Sequence, residues 1–240
     1  MQIAAPGLVF NGAPPSLTIR SEVVECVDHF AYLGSRISPG GLVADEISAQ
    51  IQKARLAFAN LRHRDIRLSI KGRVYCTAFR SVLLYGCETW PLKVEDMKRL
   101  QMFDHRCLRS IGHIPWCRHM RSAEVRCRVL GRRGKSVDTV VNLHRLRWLG
   151  HILHMPSHRL PRHTMLAEVG PGWKKARGGQ TKTWYQCMKF LAVCLSHVGV
   201  CRLGGWGRRD KRNQWLETQG DAMAENRCQW SRCIHTLSSS

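Results

Sequence analysis

Acidic residues that could hold catalytic metal ions are few in this sequence. Two-metal polymerases, nucleases and phosphatases need carboxylates that converge on one point. The chain has two adjacent acidic pairs, Asp45-Glu46 and Glu95-Asp96, and no Asp-Asp dipeptide. Both pairs stand at the start of a predicted helix, where carboxylates bond free backbone N–H groups and complement the helix dipole. We therefore predict that they cap helices and that the chain has no catalytic residues.

The cysteines and histidines allow a zinc site as an alternative. Three cysteines are spaced by sevens with a histidine nearby, and a second group lies near the end of the chain: Cys187, Cys194, Cys201 and His197, then Cys228, Cys233 and His235. There is no Cys-x-x-Cys pair, and small buried thiols on an apolar helix explain the spacing as well. No metal ligand is assigned.

The histidines His151, His154 and His158 also have chelating offsets. Pro156 interrupts the helix before the third of them, because proline cannot continue the backbone hydrogen-bond ladder. This pattern favours a basic surface for nucleic acid over a metal site.

Nucleophilic and nucleotide-binding signatures are missing from the sequence, which has neither a Gly-x-Ser-x-Gly elbow nor a P-loop. Gly178-Gly179 is surrounded by four basic residues: Lys174, Lys175, Arg177 and Lys182. Such a segment can clamp a phosphate backbone through N–H groups and point charges. The alternative is an exposed loop without a ligand.

Charge gives the strongest indication of a partner. The 38 Lys and Arg against 17 Asp and Glu give a net charge of +21. Residues 1–50 hold two basic and five acidic residues, so the whole excess belongs to residues 51–240. A field of this strength attracts polyanions, and nucleic acid is the usual one.

A membrane is the less favoured polyanion. No stretch approaches the ~20 apolar residues that span a bilayer, and the first residues lack the pattern of a secretory signal. We expect reduced thiols and an intracellular protein of the nucleus, the cytoplasm or both.

The pattern along the chain predicts a mainly α fold. Residues 17–37 favour short strands, and Asp45-Glu46 opens a helix with an apolar stripe from Ile47 to Leu61. A helix over Lys71–Tyr85, apolar on nearly every side, is predicted to be buried, and an amphipathic helix follows over Lys93–Ile111. Short connections make these three an antiparallel bundle. Further helices are predicted over Ala123–Leu130, Val137–Met155, Thr183–Val198 and Trp215–Ile234.

Basic residues off the apolar stripes, or in the basic loop, are the candidates for nucleic-acid binding. They are Lys53, Arg55, Arg62, Arg64, Arg106, Arg109, Arg145, Arg147, His151, Lys174, Lys175, Arg177 and Lys182.

Several segments, in order, resemble the carboxy-terminal part of reverse transcriptases from non-LTR (LINE-type) retrotransposons. They are Phe30-Ala31-Tyr32-Leu33-Gly34-Ser35, Gly72-Arg73-Val74-Tyr75, Leu83-Leu84-Tyr85-Gly86-Cys87-Glu88-Thr89-Trp90, Phe103 to Arg109, Arg147-Trp148-Leu149-Gly150-His151 and Trp215-Leu216-Glu217. The resemblance runs from about Glu22 to near the end of the chain.

The resemblance implies a role for each region. Tyr32, Leu33 and Gly34 correspond to the primer grip, a hairpin at the end of the polymerase palm. The implied organisation is a loose N-terminus (1–16), primer-grip-like strands (17–41), a thumb-like helical bundle (42–115) and a basic, loop-rich helical region (116–240). The implied parent activity is RNA-directed DNA synthesis with Mg²⁺, and the implied partners are RNA, DNA or their hybrid, with an intact reverse transcriptase as a partner in trans.

The sequence departs from that family in its catalytic part. The aromatic-x-Asp-Asp motif is missing, so we expect a truncated copy that binds nucleic acid, has no cofactor and is inactive alone. The alternatives are a zinc-stabilised structural or interaction module and a decayed product without function.

Overall fold

The computed structural model describes residues 18–19, 22–23, 30–37, 43–62, 66–132, 134–156 and 158–166, together with isolated positions among 184–191 and 228–234. Short strands precede the helices. Strand β1 (Thr18–Ile19) pairs antiparallel with β2 (Glu22–Val23), and β3 (Phe30–Tyr32) pairs antiparallel with β4 (Ser35–Ile37). The predicted mainly helical class is confirmed.

Helices make up most of the described chain. They are α1 (Val43–Arg62), α2 (Leu68–Val74), a π-helical turn (Tyr75–Phe79), α3 (Arg80–Leu83), α4 (Val94–Ile111), α5 (Ser122–Leu130), α6 (Val137–Leu153) and α7 (Leu160–Leu166). The segment from α2 to α3 is called the central segment below. None of the helices in the described ranges is long and apolar enough to cross a bilayer.

Helix α1 and the central segment run in opposite directions. The start of α1 packs through Ile47 in one cluster with Leu83, at the end of the central segment. Near the other end of α1, the Phe58 ring lies edge-on to Tyr75 and Phe79, with centroids 6.2 and 6.0 Å apart. The apolar stripe of α1 therefore packs along the central segment from Leu83 back to Tyr75.

Helix α4 reverses direction again. Its Leu100 belongs to the cluster of Leu83, whereas Cys107 and Ile111 belong to the cluster of Tyr75. Helices α1 and α4 consequently run side by side in the same direction. This is the predicted antiparallel order of three consecutive helices.

The central segment corrects one prediction. It is buried on one face only, because Tyr75, Phe79 and Leu83 are buried while residues 76–78 are exposed. Residues 76–78 are Cys, Thr and Ala, whose side chains are small, so their exposure leaves little apolar area in water. An apolar composition alone overstates burial here.

The core continues past residue 115, where the boundary of the bundle was predicted. Val125 and Val129 of α5 join the cluster of Tyr75, and Val137 and Val141 of α6 join that of Leu83. The second half of α6 forms a third cluster with Met165, Met188, Trp230 and Ile234. Most of the two helices predicted after residue 182 lies outside the described residues.

Candidate functional site

The β3–β4 hairpin carries the residues that resemble a primer grip. Its register pairs Tyr32 with Ser35, which leaves Leu33 and Gly34 as a two-residue turn. Both have positive φ, +48° and +84°, as a type I′ hairpin turn requires. A leucine in this left-handed region costs roughly 1–2 kcal/mol. Contacts outside the turn must therefore stabilise a backbone conformation that leucine disfavours.

Helix α1 holds the turn. The Gly34 carbonyl accepts hydrogen bonds from Lys53 Nζ at 2.6 Å and from Gln50 Nε2 at 3.4 Å. On another side, a Cβ added to Gly34 would lie 3.7 Å from Tyr85 Cε1. The hairpin is thus docked between α1 and the turn that follows α3.

Large apolar side chains remain exposed around the docked hairpin. Phe30, Tyr32, Leu33 and Tyr85 are 50% to 73% exposed. The Phe30 and Tyr32 rings stack on one face of β3, with centroids 6.3 Å apart and planes at 21°. We call these four residues the hairpin platform. Exposed aromatic rings next to a lysine offer a stacking surface for bases.

Basic side chains form a row where α1 and α4 meet. Arg99 Nη2 donates to Ser48 Oγ at 2.8 Å, and the Arg55 guanidinium carbon lies 6.0 Å from the centroid of the Phe103 ring. Arg99, Phe103 and Arg106 share one face of α4, because residues three and four apart are neighbours on a helix. Arg55, Arg99 and Arg106 are all exposed and are called the α1–α4 strip. Arg99 and Arg106 are about 10 Å apart along the helix axis, which is close to the rise of three base pairs.

Two of the residues predicted to contact nucleic acid have buried side chains. Arg109 is 5% exposed, donates to the Pro115 carbonyl at 2.5 Å and to the Arg118 carbonyl at 2.8 Å, and lies over the Trp116 ring at 4.6 Å. Arg145 is 4% exposed and donates to the Trp90 carbonyl. Both guanidinium groups satisfy loop carbonyls and cannot meet a phosphate without unfolding those loops.

The remaining predicted contacts divide into two groups. Lys53, Arg55, Arg106, Arg147 and His151 are exposed. The side chain of Arg62 and all of Arg64, Lys174, Lys175, Arg177 and Lys182 lie outside the described residues.

The acidic side chains explain why the described surface is basic. Six of the eight described carboxylates lie in first helical turns: Asp45 and Glu46 of α1, Glu95 and Asp96 of α4, Glu124 of α5 and Asp138 of α6. Asp96 Oδ2 accepts from the Lys93 backbone N–H at 3.2 Å, as predicted for a capping residue. Asp104 is buried in an ion pair, which leaves Glu88 without a role in a helix terminus or an ion pair.

Glu88 belongs to a cluster that the sequence does not reveal. Among the described residues, one group of three potential metal ligands has its atoms within 4.8 Å of one another: Cys87, Glu88 and His144. Burial raises the pKa of the Cys87 thiol to about 12, and burial with the nearby Arg147 lowers the pKa of His144. The histidine is far along the chain from the other two, so no spacing pattern connects them. We call this group the Cys-Glu-His cluster.

The cysteine and histidine groups that the sequence suggested as metal ligands are different from the Cys-Glu-His cluster. Cys194, Cys201, His197, Cys233 and His235 lie outside the described residues. His151, His154 and His158 do not form a metal-ligand group, and His154 Nδ1 is hydrogen-bonded to the Gly150 carbonyl at 2.5 Å.

No family model matches the chain, and neither a curated protein nor a solved structure matches it. The likeness to reverse transcriptases therefore stays a prediction that depends on the quoted segments.

Proposed function

We propose that this chain binds the backbone of nucleic acid as the thumb-like part of a reverse transcriptase of the non-LTR retrotransposon type, and that it does not polymerise DNA by itself. The observation that carries the proposal is the imbalance of exposed charge. Fourteen lysine and arginine side chains are exposed in the described part of the chain, against three carboxylates, Asp45, Glu95 and Glu124. Those three lie in first helical turns, so they leave the middle of the bundle surface to cations.

The α1–α4 strip is the proposed backbone contact. Two of its arginines are held in place, Arg99 by Ser48 and Arg55 by Phe103, so less side-chain freedom is lost when they meet phosphates. Contacts of this kind position a duplex without reading its sequence. We therefore expect little sequence preference and a strong dependence on salt.

The hairpin platform supports the comparison with a primer grip. The order of a short hairpin followed by an antiparallel bundle agrees with the order that the resemblance implies. The docked hairpin presents Tyr32 and Leu33 beside a lysine, which suits contact with a primer end or its last base pairs.

The positions of the described carboxylates support the proposed lack of polymerase activity. Nucleotidyl transfer by two metal ions requires converging acidic residues. In the described ranges, Asp45-Glu46 and Glu95-Asp96 occupy first helical turns and belong to no three-ligand group. Helix termini account for both pairs.

A titration of the purified chain against an RNA–DNA hybrid at several salt concentrations tests the proposal. The triple variant Arg55→Gln, Arg99→Gln, Arg106→Gln removes the strip, and the variant Arg73→Gln, Arg128→Gln, Arg159→Gln removes equal charge from exposed positions elsewhere. Each phosphate contact contributes about 0.9 to the slope of log K against log salt. We expect the strip variant to lower that slope by about 2 to 3 and the control by less than one.

Primer extension is run on the same samples. Binding without extension, and a larger loss in the strip variant, support the proposal. An absence of binding at low salt overturns it, equal losses in the two triple variants overturn the assignment to the strip, and extension overturns the predicted inactivity.

A further inference from the structure

We propose that the Cys-Glu-His cluster binds a single zinc ion through Cys87 Sγ, a carboxylate oxygen of Glu88 and an imidazole nitrogen of His144. The proposal is independent of nucleic-acid binding. It concerns a different part of the molecule, where the turn after α3 meets α6.

Distance and ligand chemistry carry the proposal. The three ligand atoms lie within 4.8 Å of one another. Tetrahedral zinc holds sulfur, nitrogen and oxygen ligands at about 2.0–2.3 Å, which places the ligand atoms about 3.3–3.8 Å apart. Zinc binding therefore requires the ligand atoms to move about 1 Å closer together. Rotation of the half-buried Glu88 and His144 side chains supplies this movement. One thiolate, one carboxylate and one imidazole match the borderline softness of zinc, whereas Mg²⁺ prefers oxygen ligands alone.

The surroundings of the cluster favour a specific metal site over an accidental grouping of surface side chains. Cys87 is fully buried and Glu88 and His144 are half-buried. Within the described residues, no hydrogen bond joins the Glu88 carboxylate or the His144 imidazole to another side chain, so both are available to a metal. The Glu88 backbone carbonyl accepts a hydrogen bond from Trp184 Nε1 at 2.6 Å, which fixes the turn that carries two of the ligands.

Metal binding at this place would join two parts of the core. Cys87 belongs to the cluster of Leu83, and His144 lies on α6 next to Leu143 of the third cluster. On binding, the thiol loses its proton to solvent and the thiolate sulfur donates an electron pair to the zinc ion. Three protein ligands leave a fourth position for water.

Cobalt substitution tests the proposal on the full chain. The purified protein is stripped with a chelator and titrated with Co²⁺ alone, whose absorption reports a cobalt–sulfur bond through a charge-transfer band. We expect one equivalent of Co²⁺ with that band, displaced by Zn²⁺. The Cys87→Ser variant loses the band. His144→Asn and Glu88→Gln raise the dissociation constant by about tenfold or more.

Matched controls use exposed residues of the same types: Cys127→Ser, His151→Asn and Glu95→Gln. They are expected to keep both the band and the affinity. A band that persists in Cys87→Ser, or a loss of the band in Cys127→Ser, overturns the proposal. Unchanged affinity in both His144→Asn and Glu88→Gln also overturns it, and these variants keep the test valid if Cys87→Ser does not fold. Hybrid binding measured in Cys87→Ser, His144→Asn and Glu88→Gln is expected to be unchanged, which separates this proposal from the proposed function.

Discussion

Arg80 and Asp104 form a bidentate ion pair inside the bundle. Arg80 Nε donates to Asp104 Oδ1 at 2.8 Å and Arg80 Nη2 donates to Oδ2 at 2.9 Å, with both side chains buried. The Tyr75 hydroxyl donates to Oδ1 at 2.9 Å, and Arg80 Nη1 donates to the Lys135 carbonyl at 2.8 Å. The network therefore joins the central segment, α4 and the loop before α6.

Replacement of Asp104 by Asn is expected to destabilise the protein strongly. It removes one charge of a buried pair and leaves the Arg80 guanidinium uncompensated, which costs about 3–5 kcal/mol. Chemical denaturation measures the loss in the free energy of unfolding. Tyr75→Phe is the matched control, since it leaves the ion pair in place and removes one hydrogen bond to the Asp104 carboxylate, at about 1.5–3 kcal/mol. Equal effects of the two variants would contradict the importance assigned to the ion pair.

Alkaline pH is expected to destabilise the fold through Cys107. Burial, with Asp104 nearby, raises the pKa of this thiol from 9.0 to about 12. The unfolded chain therefore releases the proton at lower pH than the folded protein, and stability that is complete below pH 9 falls as the pH rises towards 12. The contribution of this group is about 1.4 kcal/mol for each pH unit within that window.

The free energy of unfolding is measured for the wild type and for Cys107→Ala, from pH 8 to the alkaline limit of reversible unfolding. These measurements test the predicted loss of stability above pH 9. The variant is expected to have the shallower decline above pH 9, whatever its stability at neutral pH. The exposed Cys127 of α5 provides the control substitution, Cys127→Ala. Parallel curves for wild type and Cys107→Ala would refute the assignment.

Sequence patterns predicted the helices well because their information is local. The apolar spacing over Lys93–Ile111 differs by one residue from the observed start of α4 at Val94, and the predicted start of α6 at Val137 agrees with the structure. The burial of Arg109 and Arg145 escaped prediction, because their partners are loop carbonyls that helical spacing does not indicate. The Cys-Glu-His cluster escaped for the same reason, since tertiary packing alone brings His144 to Cys87.

Gly72 is expected to tolerate no side chain. A Cβ at this position would lie 2.2 Å from the Val129 carbonyl oxygen, so Gly72→Ala forces α2 and α5 apart. The gain in helix propensity of up to about 1 kcal/mol is smaller than the cost of disturbing the packing, typically about 1–3 kcal/mol. Thermal unfolding is expected to show a lowered midpoint. Gly131→Ala is the control, because nothing lies within 4 Å of an added Cβ there and its positive φ alone opposes the change. A midpoint for Gly72→Ala at or above that of the wild type would contradict the close approach.

Leu33→Asn is expected to stabilise the hairpin. Asparagine adopts the left-handed backbone region more readily than leucine, and Asn-Gly is the preferred type I′ turn. The gain is expected to be at most about 1–2 kcal/mol, the cost of the left-handed conformation for a residue with a Cβ. Amide exchange at the β3–β4 hydrogen bonds reports this local change. Faster exchange in the variant would mean that contacts of the leucine side chain, rather than the turn conformation, hold the hairpin.

Tyr32→Ala is expected to weaken binding of an RNA–DNA hybrid with a recessed primer end. The exposed ring stacks beside Phe30 in the hairpin platform, and loss of one aromatic stacking partner costs about 1–3 kcal/mol per base, or about 5-fold to 150-fold in affinity. Tyr32→Phe keeps the ring and removes the hydroxyl, so its affinity is expected to stay within about twofold of the wild type. Stacking is also less sensitive to salt than phosphate contact. The slope of log K against log salt should therefore be the same in Tyr32→Ala as in the wild type, while log K is lower at every salt concentration. Equal affinities for Tyr32→Ala and Tyr32→Phe would separate the hairpin from the nucleic-acid surface and leave the arginines of the α1–α4 strip as the proposed contact.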